Sequence, residues 1–316
     1  MAFQTRLSRM LGVSHPLIQG GMAWTATAEL AAAVSNAGGL GIIGAGQMPT
    51  DVLRSEIRNA KLLTDAPFGV NLMLLTPHID DIVQMVLEEG VGVVTTGAGN
   101  PGKYMAALKG KGIKVLPIAP SVALAKRMES IGADAIIGEG MEAGGHIGDL
   151  TTMVLVPQLV DAVSIPVVAA GGIADGRGVA AAFALGAEGV QVGTRFMCAD
   201  ECTIHPDVKA QVIRAKDRDT VVTGRSTGHP VRVIKNKLSR QIAALDKNNQ
   251  AEEIEALGSG KLALAMRTGD TDMGSLMAGQ AAALVCEIQP AAVIVEQMMS
   301  GAEAVMRALG TIPEGR

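Results

Sequence analysis

The chain has 316 residues, of which 48% are hydrophobic and 39 are glycine, and its formal net charge is −4. This length fits two average domains or one large α/β barrel, and the hydrophobic content excludes a disordered chain. The negative charge argues against a nucleic-acid-binding protein, and no run of about 18 apolar residues predicts a membrane span. Three cysteines, all from Cys198 onward, and no signal-peptide pattern indicate reduced thiols and a cytoplasmic location.

Apolar segments and helical segments alternate along the first 194 residues. The predicted strands cover residues 16–23, 40–44, 68–73, 91–96, 114–119, 133–138, 166–172 and 189–194. The predicted helices between them cover 27–37, 50–63, 78–89, 103–109, a segment from 121, 151–163 and 176–185, with Thr50 and Ser121 as N-caps. The strands are apolar throughout, as in a parallel sheet that is covered on both faces. Eight such units predict an α/β (β/α)8 TIM barrel rather than an open doubly wound sheet.

The region after strand eight has a different character. Residues 207–240 carry nine Lys or Arg against three Asp, inside a chain whose total charge is negative. We expect 201–269 to form a small, mostly helical insertion that covers the substrate side, while 1–200 and 270–316 form the barrel. The basic segment is either a solvated helix face or a docking patch for an acidic partner. The tail 278–309 is predicted to be helical and to close the barrel.

Glycine-rich turns follow the last three predicted strands. The loops 170–176 and 191–195 follow strands seven and eight, where barrels of this kind often bind phosphate through backbone amides and a helix N-terminus. The stretch 139–149 follows strand six and places a glycine pair directly before His146. A histidine can exchange a proton near neutral pH, so His146 is the candidate catalytic residue.

Other strand ends supply further candidates, and several alternatives are excluded. Gly21 and Met22 follow strand one, and Asn71 in strand three has an amide suited to the pyrimidine edge of a flavin. Residues 39–44 match G-x-G-x-x-G but follow a helix instead of opening one, which excludes a Rossmann site. The chain has no cysteine before Cys198, so no loop after strands one to seven can supply a cysteine nucleophile. The strand ends offer neither a metal-ligand set nor a Schiff-base lysine. This pattern fits a cofactor that carries its own reactivity, while the protein supplies position and a proton.

At these residues the chain resembles the flavin-dependent enoyl-acyl carrier protein reductase II family, within the wider nitronate monooxygenase (2-nitropropane dioxygenase) group. The resemblance covers nearly the whole chain. The elements that carry it are Gln19-Gly20-Gly21-Met22, Gly69-Val70-Asn71 and the segments 139–146, 169–176, 191–196 and 274–280. The segments 139–146 and 274–280 resemble the reductase branch more closely than the monooxygenases.

The resemblance implies a bound FMN, reduced by NADH or NADPH, from which a hydride passes to the β-carbon of a trans-2-enoyl thioester. His146 would supply or steer the proton, or polarise the thioester carbonyl. Implied phosphate ligands are Gly171, Gly172, Gly193 and Thr194. Implied contacts to the rest of the cofactor are Gly21, Met22, Asn71, Glu139, Gly144, Gly145, Ala170 and Gln191, with Met277 and Gln280 closing over it from the tail.

The resemblance also implies partners and leaves competing functions open. The expected partner is an acidic acyl carrier protein that docks on 207–240, and the expected assembly is a homodimer with no nucleic-acid or membrane partner. No metal site is expected, and a monovalent-cation requirement stays open. One competing function is a nitronate monooxygenase that uses the same FMN with O2 and His146 as a base. Another is a flavin-binding protein with only incidental turnover.

Overall fold

A ring of parallel strands organises the fold. The computed structural model describes residues 4–46 and 48–310. The strands are β1 (Leu17–Gln19), β2 (Gly41–Gly44), β3 (Phe68–Met73), β4 (Val93–Gly97), β5 (Lys114–Pro117), β6 (Ile136–Glu139), β7 (Gly145–His146), β8 (Val167–Ala170), β9 (Gly189–Val192), β10 (Thr220–Thr223) and β11 (Val231–Ile234). Two parallel sheets have the orders β1-β9-β8-β6 and β2-β3-β4-β5. Parallel bridges Ile18–Leu40 and Ile118–Ile137 join their edges, so eight strands form a ring and the predicted (β/α)8 barrel is confirmed.

Helices alternate with the barrel strands, as the sequence predicted. They are α1 (Arg6–Leu11), α2 (Ala28–Asn36), α3 (Thr50–Leu63), α4 (Ile79–Glu89), α5 (Gly102–Gly110), α6 (Val122–Ser130), α7 (Thr152–Ala162), α8 (Gly176–Ala184), α9 (Thr194–Met197), α10 (Pro206–Arg214), α11 (Lys237–Lys247), α12 (Ala251–Gly258), α13 (Lys261–Thr268) and α14 (Ala291–Leu309). None of the helices in the described ranges is long and apolar enough to cross a membrane.

The structure corrects two local predictions and confirms a third. Ser121 caps α6, because its side chain accepts a hydrogen bond from the N–H of Leu124. Thr50 is instead the first helical residue of α3, and Pro49 occupies the N-cap position. The tail is not helical from 278, since it passes through a 3₁₀ turn at Gln280–Leu284 before α14 begins.

Apolar side chains fill the barrel, so it is a packed core and not a pore. The apolar set on the strands, together with the residues directly before β2 and β6, is Ile18, Leu40, Ile42, Val93, Leu116, Ala135, Ile137, Val168 and Ala170. Leu7 and Leu11 of α1 belong to the same cluster and close the amino-terminal end of the strands. A Cβ added to Gly189, the first residue of β9, would lie 2.4 Å from Leu7 Cδ2 and 2.8 Å from the Pro16 carbonyl oxygen, so glycine lets α1 and this backbone pack closely on β9. Because the amino-terminal end of the barrel is closed, a ligand is expected at the carboxyl ends of the strands.

The region after β9 contains a β-hairpin that the sequence analysis did not predict. Strands β10 and β11 pair antiparallel, and β11 pairs in turn with β7, where Val231 lies opposite His146 and Arg232 opposite Gly145. The helices α10 to α13 surround this hairpin in the chain. The hairpin therefore connects this region directly to the turn that carries His146.

The side chain of Gln19 joins β1 to β2 where their ladder has only one bridge. Its Nε2 donates to the Ile42 carbonyl (3.1 Å) and the Gly20 carbonyl, and its Oε1 accepts from the Ile42 N–H (3.2 Å). The side chain is fully buried. It replaces strand hydrogen bonds at the seam of the barrel.

Replacing Gln19 with Ala should lower the free energy of unfolding by about 2 kcal/mol or more, because buried polar groups of Ile42 lose their partner. Urea denaturation measures this loss. The matched control is Gln158→Ala, which removes an exposed bond to the Val154 carbonyl and should change stability by about 0.5 kcal/mol or less. Equal effects of the two substitutions would contradict the role given to Gln19.

Candidate active site

The turn after β6 is held by a short network around Thr152. The Gly140 N–H donates to the Ala170 carbonyl (2.9 Å), and a Cβ on Gly140 would lie 2.1 Å from Thr152 Oγ1. The Glu142 carboxylate accepts from the Thr152 N–H at 2.9 and 3.0 Å. The Thr152 hydroxyl lies 3.0 Å from that carboxylate and 3.0 Å from the Gly171 carbonyl. The carboxylate thus binds the start of α7 and fixes the course of the chain towards His146.

The glycine turns after β6, β8 and β9 lie together at the carboxyl ends of neighbouring strands. Gly171 and Gly172 have φ of +97° and +73°, which favours glycine. A Cβ on Gly171 would meet the Gly140 carbonyl at 2.9 Å, and one on Gly193 would meet Met22 Sδ at 3.4 Å. Within the described chain, the N–H groups of Gly171, Gly172 and Gly193 donate to no backbone or side-chain acceptor. They form a set of free donors suited to a phosphate.

The N-terminus of α8 does not add free N–H donors to this set. The Asp175 carboxylate accepts from the N–H groups of Arg177 and Gly178 and caps the helix. An anion near this end of the barrel must therefore depend on the glycine amides more than on the helix terminus predicted from the sequence.

Polar side chains take over from apolar ones at the carboxyl ends of the strands. Alternation along each strand puts Asn71, Glu139 and Gln191 on the inward face, each two residues beyond a position that contacts the barrel core. Asn71 Nδ2 donates to Thr95 Oγ1 (2.9 Å), which leaves the oxygen of the Asn71 side-chain amide available. The Gln191 amide and the Glu139 carboxylate form no hydrogen bond with the described residues. These groups surround the floor of the opening at the carboxyl ends of the barrel strands, which we call the mouth.

The remaining predicted site residues belong to the same mouth. A Cβ on Gly21 would lie 2.2 Å from Asn71 Cβ, so the turn after β1 lies directly on that amide. Ala170 pairs with Glu139 on one side and Gln191 on the other. All of the strand-end residues predicted from the sequence therefore converge.

The tail crosses this mouth as a strap at 274–280. The Gly279 N–H donates to Thr194 Oγ1 (2.9 Å), and the Gln280 N–H donates to the Glu142 carbonyl (2.9 Å). A Cβ on Gly144 would lie 2.6 Å from the Ala278 backbone, and one on Gly145 would lie 3.6 Å from Met277 Sδ. The strap thus meets both the turn before His146 and the turn after β9. The Gln280 side chain is exposed, and its contact is made by the backbone.

His146 lies on the exposed side of β7, beside His229. The two ring centroids are 6.4 Å apart in an edge-to-face arrangement. Surrounding protein atoms displace water and lower the pKa of His146, and the charge of His229 lowers it further. A neutral imidazole at neutral pH can accept a proton or a hydrogen bond.

Glu139 is shifted in the opposite direction. Burial raises the pKa of its carboxyl to about 7, with no nearby charge contributing. In the mouth, burial therefore shifts both the histidine and the glutamate towards their neutral forms.

Sequence reasoning missed some functional contacts and misplaced others. Thr152 and Arg232 both support the turn that carries His146, since the Arg232 Nε donates to the Met141 carbonyl (2.9 Å). Thr152 could have been found as the first polar residue of the helix after the glycine turn, whereas Arg232 gave no local signal. Arg195, in the segment 191–196 that carries the resemblance, donates to Gln289 Oε1 of the tail (2.6 Å).

The residues present fit a phosphorylated flavin. Free glycine amides suit a phosphate, and the amides of Asn71 and Gln191 can pair with a pyrimidine edge that both donates and accepts. Met22 and Met277 offer polarisable surface for a flat ring. In the described part of the chain, no group of three His, Cys, Asp or Glu side chains is placed to hold a metal ion.

Comparison with known proteins defines the class. The nitronate monooxygenase family model matches residues 4–86 and 78–301, and the chain belongs to this family. A probable nitronate monooxygenase of Staphylococcus saprophyticus is 37% identical and aligns over 97% of this chain and 99% of its own length. This is a family of flavin enzymes, so the protein is a flavin-type oxidoreductase.

Two solved structures are similar to this chain over nearly its whole length. FabK from Thermotoga maritima, an enoyl-acyl carrier protein reductase II, has a structure with a TM-score of 0.95 and 50% identity, over 98% of this chain and 99% of that one. Nitroalkane oxidase from Streptomyces ansochromogenes has a TM-score of 0.85 and 30% identity, over 96% and 99%. The resemblance found in the sequence is thereby confirmed.

The burial of Glu139 generates a pH-dependent prediction. Because its pKa of about 7 in the folded protein exceeds the ordinary value of 4.5, the carboxyl favours folding most below about pH 4.5 and loses this contribution as the pH rises through 7. Glu139→Gln should therefore gain stability relative to the unsubstituted protein between pH 5 and 8, by on the order of 2 kcal/mol. Urea denaturation of both flavin-free proteins across this range measures the difference.

The control for this experiment is Glu255→Gln on the exposed side of α12, which should run parallel to the unsubstituted protein. A Glu139→Gln profile that is also parallel would show that the carboxyl ionises as freely in the folded protein as in the unfolded chain.

Proposed function

We propose that this protein is an FMN-dependent enoyl-[acyl carrier protein] reductase of type II fatty acid synthesis. The reaction converts a trans-2-enoyl thioester, NADH or NADPH and a proton into the saturated thioester and oxidised nicotinamide. The likeness to FabK at 50% identity over nearly the whole chain carries this proposal. The homodimer, the choice of nicotinamide and any cation requirement stay predictions from the resemblance.

The proposed division of labour follows the geometry of the mouth. We assign residues 1–200 and 270–316 to the FMN-binding barrel, although 1–3, 47 and 311–316 lie outside the described residues. The segment 201–269 covers its substrate side through the hairpin that pairs with β7. Gly171, Gly172, Gly193 and Thr194 hold the phosphate, while Asn71, Gln191 and Glu139 orient the ring. Bound FMN supplies hydride transfer, a chemistry that no side chain provides.

We assign the proton step to His146. Its imidazole lies at the mouth on β7, where it can deliver or steer a proton to the α-carbon or hydrogen-bond to the thioester carbonyl. The strap at 274–280 and the hairpin border this position from two sides.

A nitronate monooxygenase is the second candidate, and one observation favours it. The lowered pKa of His146 keeps the imidazole neutral and able to act as a base, which a nitronate reaction with O2 requires. The two functions are separated by NADH oxidation with a crotonyl thioester against oxygen uptake with an alkyl nitronate.

His146→Ala should retain its bound flavin but lose about 100-fold or more in kcat with crotonyl-CoA, because the general acid–base group is removed. Stopped-flow or steady-state NADH oxidation measures the loss. His78→Ala is the control, since His78 is exposed before α4 and forms no side-chain cap. Full turnover by a flavin-loaded His146→Ala protein would remove this histidine from the mechanism.

Part of the basic segment is available to an acidic carrier protein. Lys209 and Arg232 are buried and take no part in such a surface. The exposed basic residues in the segment are Arg214, Lys216, Arg218, Arg225, Lys235, Lys237 and Arg240.

Reversing the charge at Lys235 and Lys237 to Glu should raise the KM for carrier-bound enoyl substrate by about tenfold and leave the KM for crotonyl-CoA unchanged, because only the carrier protein contacts this surface. The matched control reverses Lys111, which follows α5, and Lys126 on α6, both of which are exposed. An equal effect of both double substitutions would show a general charge effect and no docking surface.

A further inference from the structure

The loop between β10 and β11 lies at the rim beside His146. This rim loop, residues 224–230, follows directly from the pairing of Val231 with His146. The Ile147 N–H donates to the Pro230 carbonyl (3.2 Å), and the His229 ring lies 6.4 Å from the His146 ring. Any substrate that reaches His146 must pass close to this loop.

The rim loop is held in one conformation by Asp246 of α11. The carboxylate accepts from the Gly224 N–H (2.6 Å), the Ser226 N–H (3.0 Å) and the Ser226 hydroxyl (2.8 Å). Gly224 and Gly228 have φ of +74° and +76°, which glycine adopts without strain. Because Asp246 is occupied by loop donors, the loop is ordered while its arginine side chain stays exposed.

Two guanidinium groups belong to this rim and lack a carboxylate partner. Arg225, on the rim loop, is exposed, and Arg232, on β11, is only 4% exposed. Arg232 donates to the Met141 carbonyl and to Thr220 Oγ1 (3.2 Å). Neither arginine forms a salt bridge with a carboxylate among residues 4–46 and 48–310. The nearby carboxylate of Glu142 is occupied by Thr152.

The two positive charges act on each other. Burial lowers the pKa of Arg232, Glu142 opposes this, and the charge of Arg225 lowers the pKa again. Neither arginine is in a salt bridge within the described ranges, and the charge of Glu142 offsets only part of the positive potential that they create at the rim. A guanidinium presents paired donors that match phosphate oxygens. An anion placed here would remove the repulsion and gain charge-assisted hydrogen bonds.

We propose that Arg225 binds the phosphate of the phosphopantetheine arm of the substrate thioester, with the charge of Arg232 adding to the attraction from beneath. This proposal rests on the proposed function, because both carrier-bound and CoA thioesters have that phosphate. The arm holds the thioester beside His146 while its phosphate remains at the rim.

The position of the hairpin supports this source of the phosphate. In a carrier protein the phosphate is the part of the arm that adjoins the protein surface. The far end of the same hairpin has the exposed Lys235, whose Nζ donates to the Arg218 carbonyl, within the surface proposed for carrier docking. A four-residue strand spans about 13 Å, so β10 and β11 connect the carrier surface to the rim over a short distance.

The test compares three crotonyl thioesters with flavin-loaded Arg225→Gln. The KM for crotonyl-CoA and for the crotonyl carrier protein should rise about tenfold. The KM for crotonyl N-acetylcysteamine, which has no phosphate, should stay within twofold, as should kcat for all three. Arg127→Gln is the matched control, because Arg127 is an exposed arginine on α6 without a salt bridge in the described ranges.

Three results would overturn the proposal. Two are an equal rise in KM for all three thioesters and no rise for any of them. The third is an increase in the KM for NADPH without an increase in the KM for NADH or for any thioester, which would assign Arg225 to the phosphate of the reductant.

A binding measurement separates this proposal from the proposed function. Calorimetry with pantetheine 4′-phosphate and with pantetheine should show tighter binding of the phosphorylated compound, and Arg225→Gln should lose that preference. If the unsubstituted protein reduces no thioester, the proposed function is wrong, and this comparison alone then decides whether the rim binds phosphate. Equal affinity for the two compounds would reject the site.

Discussion

The contact between the turns after β6 and β8 is the constraint on which the mouth of the barrel depends. Gly140 and Gly171 approach so closely that a side chain on either would overlap backbone or the Thr152 hydroxyl. Thr152 and Glu142 connect these turns to the start of α7. The N–H groups of Gly171 and Gly172 form no hydrogen bond within this contact and remain available to a ligand. The same contact fixes the path of the chain that leads to His146.

The tail and the hairpin complete the mouth from distant parts of the sequence. The strap at 274–280 hydrogen-bonds to Thr194 and to the Glu142 carbonyl, while β11 adds a strand beside His146. The barrel therefore supplies the inward polar groups and the glycine turns, and later segments supply the walls. This arrangement fits a reaction whose electron transfer belongs to a cofactor and whose protein side chains position groups and move a proton.

The barrel and the glycine turns at its mouth could be predicted from the sequence because both depend on local patterns, whereas most of the cofactor contacts were implied by the family resemblance and stay predictions. Buried parallel strands appear as apolar runs, and positions such as Gly171 and Gly172 require an uncommon backbone that glycine adopts. The hairpin was not predictable in this way, since β11 pairs with Gly145–His146 across more than eighty residues of chain. Likewise Lys209 looked like part of a basic surface, although it is buried and donates to the Ala199 carbonyl. Long-range pairing and burial are tertiary properties that charge and periodicity do not encode locally.

The most direct test of the central claim, a flavin bound at the glycine turns beside His146, is the visible spectrum of the purified protein under anaerobic conditions. We expect the visible absorption bands of a bound flavin, bleaching of these bands on addition of NADH or NADPH, and their recovery when an enoyl thioester is added. A colourless protein that does not take up FMN would contradict the account. A flavin that bleaches but recovers only with oxygen would contradict the reductase function.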